Sequence, residues 1–206
     1  MEVIRYMTGS FPTNTYLGYD EETKKAFIVD PGEYAVEITE KAKELGLDVE
    51  YIILTHAHAD HIKGIPGFRK DFPQAKLVAH QDEREILMDA KLNCSIEIFG
   101  QKMEFDADVY VKDKDVIKVG NIDLSVLHTP GHTKGGMSLY HDGYLFSGDT
   151  LFRRSIGRSD FYSGDFRTLI NSIKERIYMF PDETLVLPGH MEITTVGEEK
   201  RGNPFV

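Results

Sequence analysis

Three histidines and an aspartate lie within six consecutive residues, directly after an apolar run. The run Tyr51–Leu54 predicts a buried strand, and it is followed by His56, His58, Asp60 and His61. Side chains alternate along an extended chain, so the first two histidines should project to the same side. The side chains of Asp60 and His61 should project in different directions from each other and can reach a second metal position nearby. One short loop can therefore supply ligands for two neighbouring metal ions.

The pattern of an apolar strand that ends in a polar side chain beside a glycine recurs three times. The predicted strands are Ile122–Leu127, Tyr144–Phe146 and Thr184–Leu187, and the polar residues that follow them are His132, Asp149 and His190. A Gly-His or Gly-Asp pair is common, so each occurrence alone is a weak signal. Together with the His-rich loop they predict that four strand ends meet at one edge of a sheet stack and form a single site.

Strand and helix patterns alternate along the whole chain, without a linker, a low-complexity tract or a short-period repeat. This arrangement predicts one layered domain over residues 1–206. Besides the four strands above, the patterns predict strands at Glu2–Met7, Thr15–Tyr19, Ala26–Val29, Lys76–Ala79, Val109–Val111, Val116–Val119 and Met137–Tyr140, helices at Ala35–Leu45, Ile65–Phe72, Gln81–Lys91 and Phe166–Met179, and an irregular connection over residues 92–108.

Composition narrows the possible partners and the compartment. The formal charge of −10 argues against general affinity for nucleic acid or for anionic membranes. No apolar run approaches the ~20 residues that span a bilayer, and the first residues lack the pattern of a secretory signal. The single cysteine, Cys94, excludes an internal disulfide. We therefore expect a cytoplasmic protein that acts on a small molecule, and its oligomeric state is not readable from the sequence.

The order of these motifs resembles the metallo-β-lactamase superfamily: His-x-His-x-Asp-His, then Gly-His, then Gly-Asp, then Gly-His. The resemblance covers nearly the whole chain, and no motif ligand is missing. It implies an α+β fold, a four-layer αββα sandwich in which two mixed β-sheets carry helices on their outer faces. The metal site of that fold lies at one edge of the sheets.

The resemblance also implies two divalent metal ions, with zinc expected first and iron or manganese as alternatives. A hydroxide that bridges the two metals would be the nucleophile, and Asp60 would help to orient the bound water. The ligands implied for the first metal are His56, His58 and His132, those for the second metal are Asp60, His61 and His190, and the bridging carboxylate is Asp149.

Within the superfamily the chain is most similar to the glyoxalase II group, and in particular to short bacterial glyoxalase II-like hydrolases. The motifs that carry this similarity are Thr129–Thr133, Gly148–Phe152, Gly157–Phe161, Gly197–Glu199 and Asn203–Phe205. The similarity implies hydrolysis of a thioester such as S-lactoylglutathione. It also implies that Arg158, and less closely Tyr162, binds an anionic part of the substrate.

Other functions stay open at this point. Gly157–Phe161 also resembles persulfide dioxygenases, which share the fold and bind one iron through positions that correspond to His56, His132 and Asp149. A lactonase or another ester hydrolase would use the same hydroxide. Full-length glyoxalase II enzymes carry a helical C-terminal region that completes the glutathione pocket, and here only residues 191–206 follow the last motif, so a different thioester is an alternative. No metal role is predicted for His80, His128 or His141.

Overall fold

Two six-stranded mixed sheets form the centre of the computed structural model, which describes residues 1–206. In the first sheet β1, β2 and β3 are antiparallel neighbours, whereas β3, β4, β5 and β6 run parallel. Its strands, in spatial order, are β1 (Glu2–Thr8), β2 (Thr13–Tyr19), β3 (Lys25–Val29), β4 (Asp48–Ile53), β5 (Lys76–His80) and β6 (Val109–Val111).

The second sheet is antiparallel except for one parallel pair, β10 with β13. A separate two-stranded hairpin, β11 (Leu151–Phe152) with β12 (Ser155–Ile156), follows β10 in the chain. The strands of the second sheet, in spatial order, are β14 (Thr194–Thr195), β13 (Leu185–Pro188), β10 (Tyr144–Gly148), β9 (Met137–His141), β8 (Ile122–His128) and β7 (Val116–Val119).

Short helices connect the strands, and none is long and apolar enough to cross a membrane. Two irregular helical segments also occur, a 3₁₀ turn at Gln81–Glu83 and a π-helical turn at Ile173–Ile177 that continues α6. The helices are α1 (Val36–Glu44), α2 (Ala59–Ile62), α3 (Ile65–Asp71), α4 (Arg84–Leu87), α5 (Ser95–Phe99), α6 (Phe166–Ser172) and α7 (Val196–Gly202).

Three apolar clusters hold the layers together. The middle cluster lies between the sheets, where Phe27 of the first sheet packs with Phe146 of the second, their rings edge to face at 5.9 Å. The second cluster joins the outer face of the first sheet to helices such as α3, through Phe68. The third joins the outer face of the second sheet to α6, through Leu169. These clusters confirm the four-layer αββα sandwich with two mixed sheets.

Most of the predicted strands occur within a residue or two of their expected limits, but some helices differ. The prediction of one helix over Gln81–Lys91 is wrong. The chain forms a 3₁₀ turn followed by the four-residue α4, and residues 88–91 are not helical. The connection at 92–108 contains α5 instead of being wholly irregular. A buried carboxylate in the 3₁₀ turn, Glu83, bonds to distant loops, which is the physical reason that a regular helix does not begin at Gln81.

The sheet topology brings the motif-bearing strand ends to the same edge. Strand β4 runs parallel to β3 and β5, and β10 runs parallel to β13. Strand β8 has the same direction as β10, because both are antiparallel to β9. Backbone bonds join the two sheets at this edge: Asn14 N–H donates to Gly189 O at 2.7 Å, and Met137 N–H donates to Thr55 O at 2.9 Å. The loops after β4, β8, β10 and β13 therefore converge.

Candidate metal centre

The first cluster of metal-binding groups consists of three buried imidazoles. His56 and His58 follow β4, where the chain bends at Thr55–His56 and is extended at His58, and His132 comes from the loop after β8. His132 Nε2 lies 3.2 Å from His56 Nε2 and 2.9 Å from His58 Nδ1. The chain bends at His56, yet the rings of His56 and His58 lie together with their centres 4.9 Å apart, where a histidine from the other sheet meets them.

The second cluster consists of Asp60, His61 and His190. The two residues from the His-rich motif lie on α2, so a helical turn and not an extended chain separates their side chains from those of the first cluster. His190 Nε2 lies 3.1 Å from Asp60 Oδ2 and 3.3 Å from His61 Nε2. In each cluster every pair of candidate ligand atoms is within 4.8 Å.

Asp149 lies between the two clusters. Its Oδ2 is 3.6 Å from His132 Nε2 and 3.6 Å from His190 Nε2, and its Oδ1 is 3.4 Å from His61 Nε2. Glycines make room for this carboxylate, since a Cβ at Gly189 would lie only 2.2 Å from Asp149 Oδ1. The Gly-His pair at the end of β13 is therefore a steric requirement of the site.

The donor atoms fit divalent metal ions. Burial and the neighbouring imidazoles hold the pKa values of His56 and His58 well below 6.5, so both rings are neutral near pH 7. Neutral imidazoles whose nitrogens converge at 2.9–3.2 Å bring lone pairs together, which a cation stabilises. Asp149 Oδ1 is buried without a hydrogen-bond donor. Clusters of this composition on this fold imply divalent metals, and the ligand types suit zinc, iron or manganese alike.

The charge of the second cluster differs from that of the first. Burial lowers the pKa of His61, but the carboxylates of Asp149, Asp60 and Asp30 outweigh burial and raise it to about 10. The pKa of His190 is also raised, because Asp149 and the hydrogen bond to Asp60 outweigh its burial. Metal ligation requires neutral imidazole, so a metal that enters here displaces protons.

A second set of groups orients the imidazoles from behind. His132 Nδ1 donates to the carbonyl oxygen of Arg158 at 2.6 Å, and His190 Nδ1 donates to that of Pro12 at 3.1 Å. Each contact leaves Nε2 as the atom that faces the centre. Carbonyl and carboxylate partners of this kind fix the tautomer and the ring orientation of metal-binding histidines.

Asp30 is a residue of the site that the sequence analysis missed. Its carboxylate is buried at the end of β3, where Oδ2 lies 3.1 Å from His61 Nδ1. The same carboxylate accepts hydrogen bonds from Thr55 N–H at 2.7 Å and Thr55 Oγ1 at 2.6 Å. Its position before Pro31-Gly32 indicated only a turn. A polar residue at the end of a fully buried strand, parallel to the strand that carries the His-rich motif, was the signal that could have found it.

A cavity of about 560 Å³ opens over the metal centre. Most of its wall beyond the metal-binding groups is apolar, and the charged exceptions are Glu97 and Arg158. The side chains that form the wall include Phe11, Ile98, Phe152, Ile156, Phe161 and Met191. The single cysteine, Cys94, also lines this cavity and is 8% exposed.

The two residues predicted to bind substrate occupy different positions. Arg158 lies at the cavity, but its guanidinium makes two hydrogen bonds to Asp160, at 2.9 and 2.7 Å, and stacks over Phe161. Tyr162 is not among the residues that line the cavity, and Lys134 lies over its ring instead. The substrate-binding roles of Arg158 and Tyr162 stay predictions.

The histidines for which no metal role was predicted lie outside the two clusters. His80 and His128 stack on one another with ring centres 4.3 Å apart and planes 11° apart. His128 Nε2 donates to the carbonyl oxygen of Lys134 at 2.9 Å. Asp82 lies near both rings, so these three residues could in principle bind a metal. Parallel rings, however, direct their nitrogen lone pairs into separate planes, and the two histidines are therefore poorly arranged to share one ion. His141 bonds to the backbone of Asp123.

Comparison with known proteins agrees with this geometry. The family model described as "Metallo-beta-lactamase superfamily" matches residues 8–190, which include all seven candidate ligands. The chain belongs to the metallo-β-lactamase superfamily. Hydroxyacylglutathione hydrolase GloC of Haemophilus influenzae is 32% identical over 205 residues, which cover 96% of this chain and 94% of the relative.

Two solved structures are also similar to this chain. BLEG-1, a B3 metallo-β-lactamase, superimposes with a TM-score of 0.92 at 37% identity and 99% coverage of both chains. ETHE1 from Myxococcus xanthus superimposes with a TM-score of 0.81 at 32% identity, covering 99% of this chain and 84% of the other. Proteins with different names thus share one fold, so the fold alone does not specify the reaction and the site has to decide it.

Proposed function

We propose that the protein is a metal-dependent hydrolase that binds two divalent ions and cleaves a thioester. The observation that carries this proposal is the position of Asp149, whose two oxygens face histidines of both clusters at 3.4–3.6 Å. One carboxylate within reach of two donor sets is the arrangement that holds a pair of metals together. The residues that would hold one ion are His56, His58 and His132, those that would hold the other are Asp60, His61 and His190, and Asp149 would be shared by both.

When bound, two such ions would lower the pKa of a bound water to about 7 and would polarise the substrate carbonyl. The chain's own groups then orient and shield the reaction. Without metal, the fields of His61 and His190 outweigh burial and lower the pKa of Asp60, so it is a carboxylate at neutral pH that could orient a bound water. Apolar side chains such as Phe152 and Phe161 line the cavity and keep bulk water away from the carbonyl.

The substrate part of the proposal rests on the cavity and on one relative. The name of the Haemophilus influenzae protein specifies hydrolysis of a hydroxyacylglutathione, and a thioester of this kind suits a cavity of about 560 Å³. Arg158 at the cavity would meet an anionic group of the thiol part. Since its charge is already matched by Asp160, this contact contributes modestly, and thioesters with a less charged thiol part are equally suitable substrates.

A persulfide dioxygenase that uses a single iron is the second candidate. The likeness to ETHE1 at a TM-score of 0.81 is compatible with it. Its three expected ligands, His56, His132 and Asp149, are all present, so ligand identity does not separate the two functions. The C-terminal motifs Gly197–Glu199 and Asn203–Phe205, which are similar to those of short bacterial glyoxalase II-like hydrolases, favour the hydrolase.

Metal content and turnover, measured together, test the proposal. Protein purified without added metal should contain about two zinc, iron or manganese ions per chain and should hydrolyse S-lactoylglutathione or another acyl thioester. A single iron, with oxygen uptake on glutathione persulfide and no thioester cleavage, would instead establish the dioxygenase.

Substitution of the bridging carboxylate tests the ligand set itself. Asp149→Ala should abolish hydrolysis and lower the content of both metals. Glu97→Gln is the matched control, because Glu97 is a carboxylate at the same cavity that belongs to neither cluster. It should retain about two metals per chain. Full activity of Asp149→Ala would refute the two-metal assignment.

A further inference from the structure

Glu83 is a fully buried carboxylate outside the metal centre, and it forms no salt bridge. It lies in the 3₁₀ turn after β5 and is 0% exposed. Burial raises its pKa to about 7, and the hydrogen bonds that it accepts offset this only in part. An acidic side chain in such a position is unfavourable unless hydrogen bonds compensate, so the groups that donate to it are structurally significant.

The two oxygens of Glu83 accept hydrogen bonds from two different loops. Oε2 accepts from the backbone N–H of Ala57 at 3.0 Å, and Oε1 accepts from the backbone N–H of Gly135 at 2.9 Å. Ala57 separates His56 from His58 in the chain. Gly135 follows His132 by three residues. The carboxylate therefore joins the two segments that carry all three imidazoles of the first cluster.

The contact with the second segment is close enough to require glycine. A Cβ at Gly135 would lie 2.4 Å from the backbone nitrogen of Glu83 and 2.6 Å from the carbonyl carbon of Asp82. The loop after β8 is thus packed directly on the 3₁₀ turn. Because both hydrogen-bond donors are backbone groups, Glu83 fixes the course of the chain and not the rotamer of a single side chain.

The second cluster is held by other groups. The carbonyl oxygen of Asp60 accepts from Thr13 Oγ1 at 2.9 Å, and His190 Nδ1 donates to Pro12 O. Asp30 lies behind His61. Asp30 also bonds to Thr55, next to His56, so it reaches both clusters, whereas Glu83 makes no hydrogen bond to any support of the second cluster.

We propose that Glu83 is a positioning residue that sets the spacing of His56, His58 and His132 and thereby tunes the affinity of the first metal selectively. The inference rests on the proposed ligand set but not on the nature of the substrate. Its physical basis is that a carboxylate can accept both N–H groups at once. A carboxamide has one acceptor oxygen and would turn its NH₂ group toward the other N–H, so Glu83→Gln keeps the shape and loses one bond.

The test is a metal titration of the apo-protein against a competing chromophoric chelator, with Zn²⁺ as the probe. Each site is read separately in a background that lacks the other, His190→Ala for the first site and His58→Ala for the second. Glu83→Gln should weaken Zn²⁺ binding at the first site by about 10- to 100-fold, the usual effect of removing a group that orients metal ligands. Binding at the second site should stay within about threefold, because its supports are untouched.

Glu199→Gln is the matched control. Glu199 is also a buried carboxylate, 1% exposed, and its Oε2 accepts from the backbone N–H of Arg154 at 2.8 Å, but this contact holds the β11–β12 hairpin. It should destabilise the fold without site-selective loss of Zn²⁺. Thermal unfolding of the apo-proteins checks that both variants fold. If Glu83→Gln does not fold, Glu83→Asp replaces it, because an aspartate side chain is too short to reach both loops.

The possible outcomes separate this inference from the proposed function. If Glu83→Gln weakens both sites equally, or neither, then Glu83 only stabilises the fold and the inference is wrong. If the unsubstituted protein binds no Zn²⁺ at all, the proposed ligand set fails first. Selective weakening of the first site would support the inference even in a protein that does not cleave S-lactoylglutathione.

Discussion

Replacement of Asp30 by asparagine should weaken metal binding at the second cluster without removing a ligand. Asparagine keeps an acceptor oxygen for Thr55 N–H but places an NH₂ group where Oδ2 now lies, 3.1 Å from His61 Nδ1. Two donors then face each other, and the ring of His61 has to tilt or change its tautomer. Either change moves Nε2, the atom that faces His190 and Asp149.

The magnitude follows from the contact that is lost. An interaction with a charged hydrogen-bonding group contributes about 1.5–3 kcal/mol, which corresponds to roughly 10- to 150-fold in a dissociation constant. We therefore expect the second metal to bind about 10- to 100-fold more weakly in Asp30→Asn, the range observed for partners of metal-binding histidines. The first metal should be affected less, because the Thr55 N–H bond that leads into His56 is retained.

The assay is competition with a chelator at fixed pH, followed by metal analysis of the dialysed protein. Asp20→Asn is a suitable control. Asp20 is also buried and accepts from a threonine hydroxyl, Thr23 Oγ1 at 2.6 Å, and from the backbone N–H of Asn121 at 2.9 Å, but it lies in the β2–β3 turn. Equal metal affinity in Asp30→Asn and the unsubstituted protein, or equal loss in both variants, would refute the orienting role of Asp30.

Three further results are expected. Gly189→Ala should lose most of its metal and its hydrolytic activity while it still folds, because the new Cβ would lie 2.2 Å from Asp149 Oδ1; normal metal content by elemental analysis would contradict this. Affinity for the second metal should rise about tenfold per pH unit from about pH 6.5 to 8.5, because His61, with its pKa raised to about 10, is protonated there and must release a proton; titrations that show no pH dependence would exclude it. For an anionic thioester, Arg158→Ala should raise KM about two- to fivefold and Asp160→Asn should lower it. The effects are small because the Arg158–Asp160 pair is two-thirds exposed and exposed ion pairs contribute little. If both variants shift KM in the same direction in steady-state kinetics, Asp160 does not compete with the substrate for Arg158.

The candidate metal ligands could be recognised in the sequence because they are concentrated in short motifs. His56, His58, Asp60 and His61 follow one apolar strand, and so dense a set of metal-binding residue types at a strand end is typical of a metal site. The hairpin at Asp142-Gly143 was predictable for a similar local reason. Both residues have positive φ, 40° and 84°, which this dipeptide tolerates in a two-residue turn between β9 and β10.

The short helices were less predictable, because long-range contacts decide them. The apolar spacing over Gln81–Lys91 favours a continuous helix, but Glu83 points inward to Ala57 and Gly135 and the helix is short. The C-terminal motif is a second example. Glu199 and Asn203 bond to the β11–β12 hairpin through Arg154 N–H and Ser155 O, a pairing of segments more than 40 residues apart that no local pattern encodes.

The sequence by itself indicated one layered domain and the chemical types at the centre, because alternation of apolar residues and dense histidine motifs are local properties of the chain, and the order of those motifs implied the αββα fold through its resemblance to the superfamily. Only the tertiary structure decided which histidine meets which, that Asp149 lies between the two clusters, and that Asp30, Glu83 and the carbonyl oxygen of Arg158 contact the segments that carry the candidate ligands. These last groups act through contacts between distant segments. Their roles depend on the distances that packing of the two sheets creates, and a linear pattern carries no such distances.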